Sequence, residues 1–216
     1  MAFDLDEQEQ IATLKAWWNQ YGNLVTWLLI LVLAGFAAWN GWNYYQRSQS
    51  SQAGMLYEEL QKSVSAKDNA KVQRAAVDMQ TKFAGTTYAQ MAALSAAKSA
   101  VDANDAATAK THLAWIVAGK GEAEYKAIAR VRLAGLLLDE KAYDEAMKLV
   151  SGEFPEQFVA IAADRRGDIL TAQNKLDEAR TAYQAALDKM DAQNPGRQLV
   201  QLKLDALGGA PAKAAA

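Results

Sequence analysis

The chain has 216 residues, a formal charge of −2, an apolar fraction of 51% and no cysteine. Without cysteine there is no disulfide framework, no thiolate nucleophile and no thiolate metal site. With 23 basic residues against 25 acidic ones there is no basic field for gripping phosphates, so nucleic acid is not an expected partner.

Residues 1–20 form a short acidic segment, with Asp4, Asp6, Glu7 and Glu9 ahead of the single basic Lys15. Residues 21–45, YGNLVTWLLILVLAGFAAWNGWNYY, carry no charge. At about 1.5 Å per residue, Tyr21 to Trp42 covers roughly 33 Å, which matches a hydrocarbon core of about 30 Å. Nine residues from Leu24 to Phe36 are Leu, Ile, Val or Phe. They favour membrane insertion by on the order of 3 to 5 kcal/mol before Thr26 and Asn40 are charged against it.

Aromatic residues flank this stretch: Trp17, Trp18 and Tyr21 on one side, Trp39, Trp42, Tyr44 and Tyr45 on the other. Their amphipathic rings favour the headgroup level of a bilayer, and a buried soluble helix has no reason to collect them at both ends. An export signal needs a basic start and a small-residue cleavage site, and neither is present. The expectation is a retained transmembrane anchor, which contacts membrane lipid.

Within it, Ala34 with Ala38 and Ala37 with Gly41 stand at four-residue spacing and form a candidate contact for another membrane helix. The alternative is that small residues are simply common in spans. Charge leaves the orientation open, because Lys15 and the amino terminus on one side face Arg47 and Lys62 on the other.

Residues 46–207 read as an all-α repeat domain, rich in alanine and without alternating strand patterns. KAYDEAMKLV laid on NKLDEARTAY matches Tyr143–Ala146 to Leu176–Ala179, an offset of 33 residues, close to the tetratricopeptide unit of about 34. The last unit is fullest: Gly167, Ala179, Tyr183 and Ala186 give the small, small, aromatic, small pattern that lets paired helices approach. The preceding unit has Ala134 and Ala146 but Val150 where Tyr183 stands, and Ala109 fills the small position upstream.

The expected architecture is a tetratricopeptide-like α-solenoid of about four helical hairpins: Ser50 to Phe83, Thr87 to Gly119, Glu122 to Ser151 and Glu156 to Asp191. Pro195 is expected to start a short closing helix running to Leu207. Residues 208–216, GGAPAKAAA, have no core-forming side chains and read as a flexible tail.

Catalytic chemistry is not legible. His112 is the one histidine, has no carboxylate cluster at ligand spacing, and reads as a surface or interhelical packing residue. Gly119 to Lys126, GKGEAEYK, lacks the phosphate-cradling spacing. LDEA and YDEA are acidic because each opens a helix, where carboxylates meet the favourable end of the dipole. No catalytic, cofactor or metal residues are expected, and the chain is not read as an enzyme.

ADRRGD, Ala163 to Asp168, places Asp164 and Asp168 one helical turn apart. With Thr171 they form a candidate peptide-binding groove for a basic or amide-rich segment. The alternative is that the carboxylates pair with Arg165 and Arg166.

The acidic start, the single span, its WNYYQ exit and the final block AADRRGDILTAQNKLDEARTAYQAAL together resemble the YfgM-like family. Its members are ancillary subunits of the SecYEG translocon in Gram-negative bacteria. The resemblance implies a single-pass inner-membrane protein with a cytoplasmic N-terminus and a periplasmic repeat domain. It also implies, as partners, translocon subunits and the membrane-anchored, PpiD-like chaperone, with assistance to proteins emerging from the channel. A regulatory protein that sequesters a signalling factor through its repeats is the other function considered, and a homo-oligomer is left open.

Overall fold

The computed structural model describes residues 3–209, so residues 210–216 of the expected tail lie outside the described residues. The described residues form helices and turns without strands. In chain order the helices are α1 Phe3–Ser65, α2 Asn69–Lys82, α3 Thr87–Asp102, α4 Ala106–Ala118, α5 Ala123–Asp139, α6 Tyr143–Val150, α7 Glu156–Ala172, α8 Leu176–Lys189 and α9 Arg197–Ala206. The backbone divides into two compact units, Met1–Gln49 and Ser50–Ala216.

In the first unit, α1 is the one helix among the described residues with the length and apolarity to cross a membrane. Its apolar side chains are turned outward: Leu24, Leu28, Leu31 and Phe36 are all more than three-fifths exposed. The polar groups inside the stretch are satisfied by their own helix. Thr26 Oγ1 donates to the Gly22 carbonyl at 2.7 Å and Asn40 Nδ2 to the Phe36 carbonyl at 2.9 Å, so each of these side chains has a partner one turn back on its own helix. The segment after the aromatic exit, QRSQSSQA, holds no glycine or proline, and α1 runs through it without a break.

In the second unit, the end of α1 pairs with α2, α3 with α4, α5 with α6 and α7 with α8, giving the four expected hairpins. Each turn inside a hairpin is built the same way. Lys67, Asn104, Lys141 and Asn174 adopt left-handed backbone at φ of 55°, 59°, 62° and 60°. In each case the next residue returns its N–H to a carbonyl five residues back. These bonds run from Asp68 to Ser63, Asp105 to Ala100, Ala142 to Leu137 and Lys175 to Leu170, at 2.8 to 3.0 Å. This is the Schellman arrangement that closes a helix C-terminus.

The following helix then starts at once. In the first two hairpins a carboxylate caps it: Asp68 accepts from Lys71 N at 3.1 Å and Asp105 from Thr108 N at 3.0 Å. YDEA and LDEA open α6 and α8 without such a cap and place Asp144, Glu145, Asp177 and Glu178 in the first turn, where the helix dipole favours them.

The core is a chain of small-residue contacts. Ala53 and Leu60 of α1 meet Val72, Ala76 and Met79 of α2 and Ala92 and Ala96 of α3. Ala93, Ala97, Ala109, Leu113 and Ala129 form the next cluster, Ala134, Ala146, Val150 and Ile169 the third, and Ala163, Ala179, Tyr183 and Ala186 the last. Alanine at these crossings lets helices approach closely, and the larger residues fill between successive units.

Where Val150 replaces the tyrosine, Arg130 ties the unit together from outside. Its Nε donates to the Leu149 carbonyl at 2.7 Å, Nη1 to the Glu153 carbonyl at 2.8 Å, and its guanidinium lies 3.9 Å above the Phe154 ring.

The closing helix covers the end of the stack with Val200 and Leu204. It begins at Arg197 rather than at Pro195, because Asn194 forms a turn there: its side chain accepts from Gly196 N at 2.9 Å and its carbonyl from Arg197 N at 3.0 Å. Arg197 Nη1 then donates to the Leu187 and Met190 carbonyls at 2.5 and 2.9 Å, capping the end of α8.

Candidate partner-binding groove

The first helices of successive hairpins lie side by side, α3 against α5 and α5 against α7. Their shared face holds a groove of about 420 Å³. Ala97, Val101, Leu113 and Leu136 give it an apolar lining, and Lys98, Arg132 and Arg165 place three cations around it with Asp139 as the one carboxylate in the lining. A second hollow of about 530 Å³ between the end of α1 and α3 shares Lys98 and is lined by Gln61, Asn69, Ser95 and Ser99. The two hollows therefore meet at α3, and the second one also carries charge, from Lys67 and Asp102 as well as the shared Lys98.

Arg132 and Arg165 occupy equivalent places in consecutive repeats, 33 residues apart and each nine residues before the left-handed turn residue of its hairpin, Lys141 or Asn174; the same place on α3 is held by Ser95, and Lys98 lies three residues further along. The arginines are supported differently. Arg132 is exposed and makes no ion pair among the described residues. Arg165 lies over Gly135, with Cζ 3.4 Å from the place a Cβ would take, and its Nη1 donates to Asp168 Oδ2 at 3.2 Å. Its Nε is buried and has no partner among the described residues. The two arginines were not singled out from the sequence, although an arginine recurring at the 33-residue period was the signal that would have found them.

Asp164, Asp168 and Thr171, the residues expected in a groove, are brought together on α7, where α8 and α9 meet them. Lys203 Nζ of α9 bridges the two carboxylates, at 2.8 Å from Asp164 Oδ1 and 2.7 Å from Asp168 Oδ1. Tyr183 Oη donates to Asp168 Oδ1 at 2.9 Å, and Thr171 Oγ1 donates to the Gly167 carbonyl at 2.8 Å and stands 3.3 Å from Tyr183 Oη.

Burial raises the Asp164 carboxyl above its ordinary value; the Lys203 hydrogen bond opposes this and the Asp168 charge adds to it. Burial likewise pushes the Tyr183 phenol up, and Asp168 reinforces the shift. Arg165 pairs with Asp168, as the alternative reading of ADRRGD has it.

His112 is an interhelical packing residue with polar partners. It is buried between Gln73 and Gln80 of α2, with Nε2 2.7 Å from Gln73 Oε1 and Nδ1 2.6 Å from Gln80 Nε2. With the amides in this orientation Nε2 carries the proton and Nδ1 accepts, so the ring is neutral. Burial accordingly holds its pKa below the ordinary 6.5. Gln73 continues the chain by donating to Asn69 Oδ1 at 2.7 Å and to the Ala96 carbonyl at 3.0 Å. Among the described residues no group of three histidine, aspartate or glutamate side chains converges as a metal set.

In the first unit, Ala34, Ala37, Ala38 and Gly41 are exposed, and a Cβ built on Gly41 would meet nothing within 4 Å.

Comparison with known proteins adds the following. The profile of the tetratricopeptide repeat-like domain family matches residues 15–209. A curated Neisseria gonorrhoeae protein named ancillary SecYEG translocon subunit is 30% identical, over 96% of this chain and 100% of its own length. Proteins of the same name from Haemophilus influenzae and Escherichia coli are 28% and 27% identical, covering 93% and 94% of this chain and 95% and 97% of theirs.

Proposed function

The chain belongs to the tetratricopeptide repeat-like family of ancillary SecYEG translocon subunits, and from that premise we propose that it is a membrane-tethered scaffold acting beside the translocon. The observation that supports this most directly is the pairing, in one chain matched almost end to end by those relatives, of an exposed apolar helix with a four-hairpin repeat domain.

In this reading α1 anchors the chain in the inner membrane, with the N-terminus in the cytoplasm and the repeats in the periplasm. Tethering confines the repeats to the membrane plane and raises their effective concentration near a membrane partner without any new contact. The partners are translocon subunits and a PpiD-like membrane-anchored chaperone, and the clients are proteins emerging from the channel. The role is one of binding rather than catalysis.

Two measurements test this. A reporter active only in the periplasm, fused after Leu207, is expected to be active; a cytoplasmic result overturns the proposed topology. Photocrosslinking from the repeat domain in intact membranes is expected to capture translocon subunits or the chaperone. Recovery of a soluble signalling factor instead would establish sequestration as the function.

A further inference from the structure

We infer that the pocket lined by the loops after α2 and α4 binds the C-terminal residue of a partner polypeptide, taking its apolar side chain and its free carboxylate together. The inference deepens the scaffold reading by naming the chemistry of one partner, and it rests on that reading for the partner being a protein.

The pocket has a volume of about 320 Å³ and lies within the repeat domain. Gly85 lines it from the first loop, Gly119, Lys120 and Gly121 from the second, and Trp115 of α4 and Gln90 of α3 from the helices. A hydrogen bond from Thr87 Oγ1 to Glu122 Oε1 ties the start of α3 to the end of the second loop.

Gln90 is the observation that points to a ligand. The residue is only 5% exposed, yet its Oε1 is buried without a partner, and its Nε2 enters no hydrogen bond among the described residues. Leaving a buried polar group unpaired costs its desolvation, which an apolar residue of the same shape would avoid. The amide is also closely seated. It lies against Gly121, where a Cβ would stand 2.6 Å from Nε2 and closer still to Cδ and Oε1. The second loop thus holds a glycine beside a glutamine that makes no bond to the fold.

The lining selects the ligand. Gln90 Nε2 and Lys120 Nζ are both donors, so the polar group they receive must be an acceptor, and the ammonium favours a carboxylate. Lys120 is exposed and makes no ion pair among the described residues, and no carboxylate lines the pocket with it. The nearby Glu122 is engaged by Thr87. Trp115 and Ile116 call for an apolar body beside that carboxylate. Ligand sites run from about 300 to 1,000 Å³, so this one is at the size for a single side chain rather than a cofactor. In a polypeptide only the last residue unites a carboxylate with an apolar side chain, and chain ends are a recurring target of protein recognition. The three glycines leave the mouth open to an approaching main chain.

The test uses the full chain in lipid nanodiscs and N-terminally fluorescein-labelled pentapeptides read by anisotropy. The probe is Gly-Ser-Gly-Ser-Phe with a free carboxylate; one control is the same peptide amidated at its C-terminus, and the other ends in serine instead of phenylalanine. The probe is expected to bind about tenfold tighter than either control, the loss that follows when one charge-assisted contact or one buried ring is removed. Its affinity is expected to fall with added salt.

Gln90→Met keeps the length and apolar stem of the side chain and removes the amide. It is expected to unfold in urea no earlier than the parent and to weaken the probe about tenfold. Lys120→Gln, at an exposed site, is expected to weaken it several-fold and to flatten its salt dependence. Equal binding of the acid and amide peptides, no binding of the probe, or undiminished binding by the folded Gln90→Met and Lys120→Gln chains overturns the inference. Competition by 3-phenylpropionate as effective as that of the unlabelled probe overturns the assignment to a polypeptide, because that acid has the ring and the carboxylate without the peptide. Photocrosslinking in intact membranes separates this inference from the scaffold reading. Translocon capture by a Gln90→Met chain that has lost the peptide leaves the scaffold reading standing, and peptide binding without any translocon capture defeats that reading alone.

Discussion

Gly167 of α7 lies directly under the ring of Tyr183 of α8. A Cβ at Gly167 would stand 2.5 Å from Cδ1 and 2.8 Å from Cζ of that ring, closer than side chains pack. The same tyrosine donates from Oη to Asp168 at 2.9 Å, so the ring cannot slide away without giving up a hydrogen bond.

Gly167→Ala therefore sets two effects against each other. Alanine is the better helix former by about 1 kcal/mol, and overpacking a close contact costs about 1–3 kcal/mol. With ring carbons inside 3 Å the overpacking wins, and a net loss of about 1–2 kcal/mol is expected in urea denaturation. Tyr183→Leu combined with Gly167→Ala is expected to recover part of it, since the shorter side chain frees the space.

The Lys203 bridge to Asp164 and Asp168 gives a second prediction. Lys203→Met leaves two carboxylates, each less than a fifth exposed, facing each other without a cation. A loss of about 2 kcal/mol at pH 7 is expected, below the figure for a fully buried pair because the site is partly solvated.

The acid dependence has a definite sign. The Asp164 pKa is raised above 3.8 in the fold, so its contribution is full at low pH and is lost as pH rises through the folded value. The variant should therefore be penalised less near pH 4 than at pH 7. Asp168→Asn should cost more than Asp164→Asn, because Asp168 also receives Tyr183 and Arg165.

His112 predicts a pH effect of the opposite sign. Its pKa is depressed below 6.5 in the fold by burial, so the unfolded chain takes up a proton the native ring does not hold. Stability is full above 6.5 and declines as pH falls below it toward the folded pKa. His112→Leu should lose about 1–3 kcal/mol by leaving the Gln73 and Gln80 amides short of a partner. It should also flatten the stability profile between neutral pH and pH 5, measured by urea unfolding at each pH. A decline of the same steepness in the leucine variant would assign the pH dependence to another group.

The hairpin pattern was legible because it is written in local chemistry: small residues at crossing points, acidic helix starts, and a 33-residue echo between YDEA and LDEA. What escaped the sequence lies between distant elements. Asp164 and Asp168 are near neighbours on one helix, but nothing in ADRRGD tells that Lys203, on the closing helix, reaches both. His112 looks isolated until α2 places Gln73 and Gln80 on either side of it.

The four left-handed turns give the final prediction. Only glycine adopts this backbone without penalty, and another L-residue there costs about 1–2 kcal/mol, less for asparagine, whose short side chain tolerates it. Lys67 and Lys141 have no such tolerance, while Asn104 and Asn174 do. Lys141→Gly is therefore expected to stabilise the repeat domain. The relief of strain exceeds the entropy that glycine adds to the unfolded chain, and about 0.5–1 kcal/mol should remain. Lys67→Gly should give a similar gain and Asn104→Gly a smaller one. Because the turns lie in separate hairpins, the two lysine replacements should add nearly independently. Thermal and urea unfolding of the single and double variants measures this, and a loss of stability in both lysine variants would show that their side chains contribute more than their backbone strain removes.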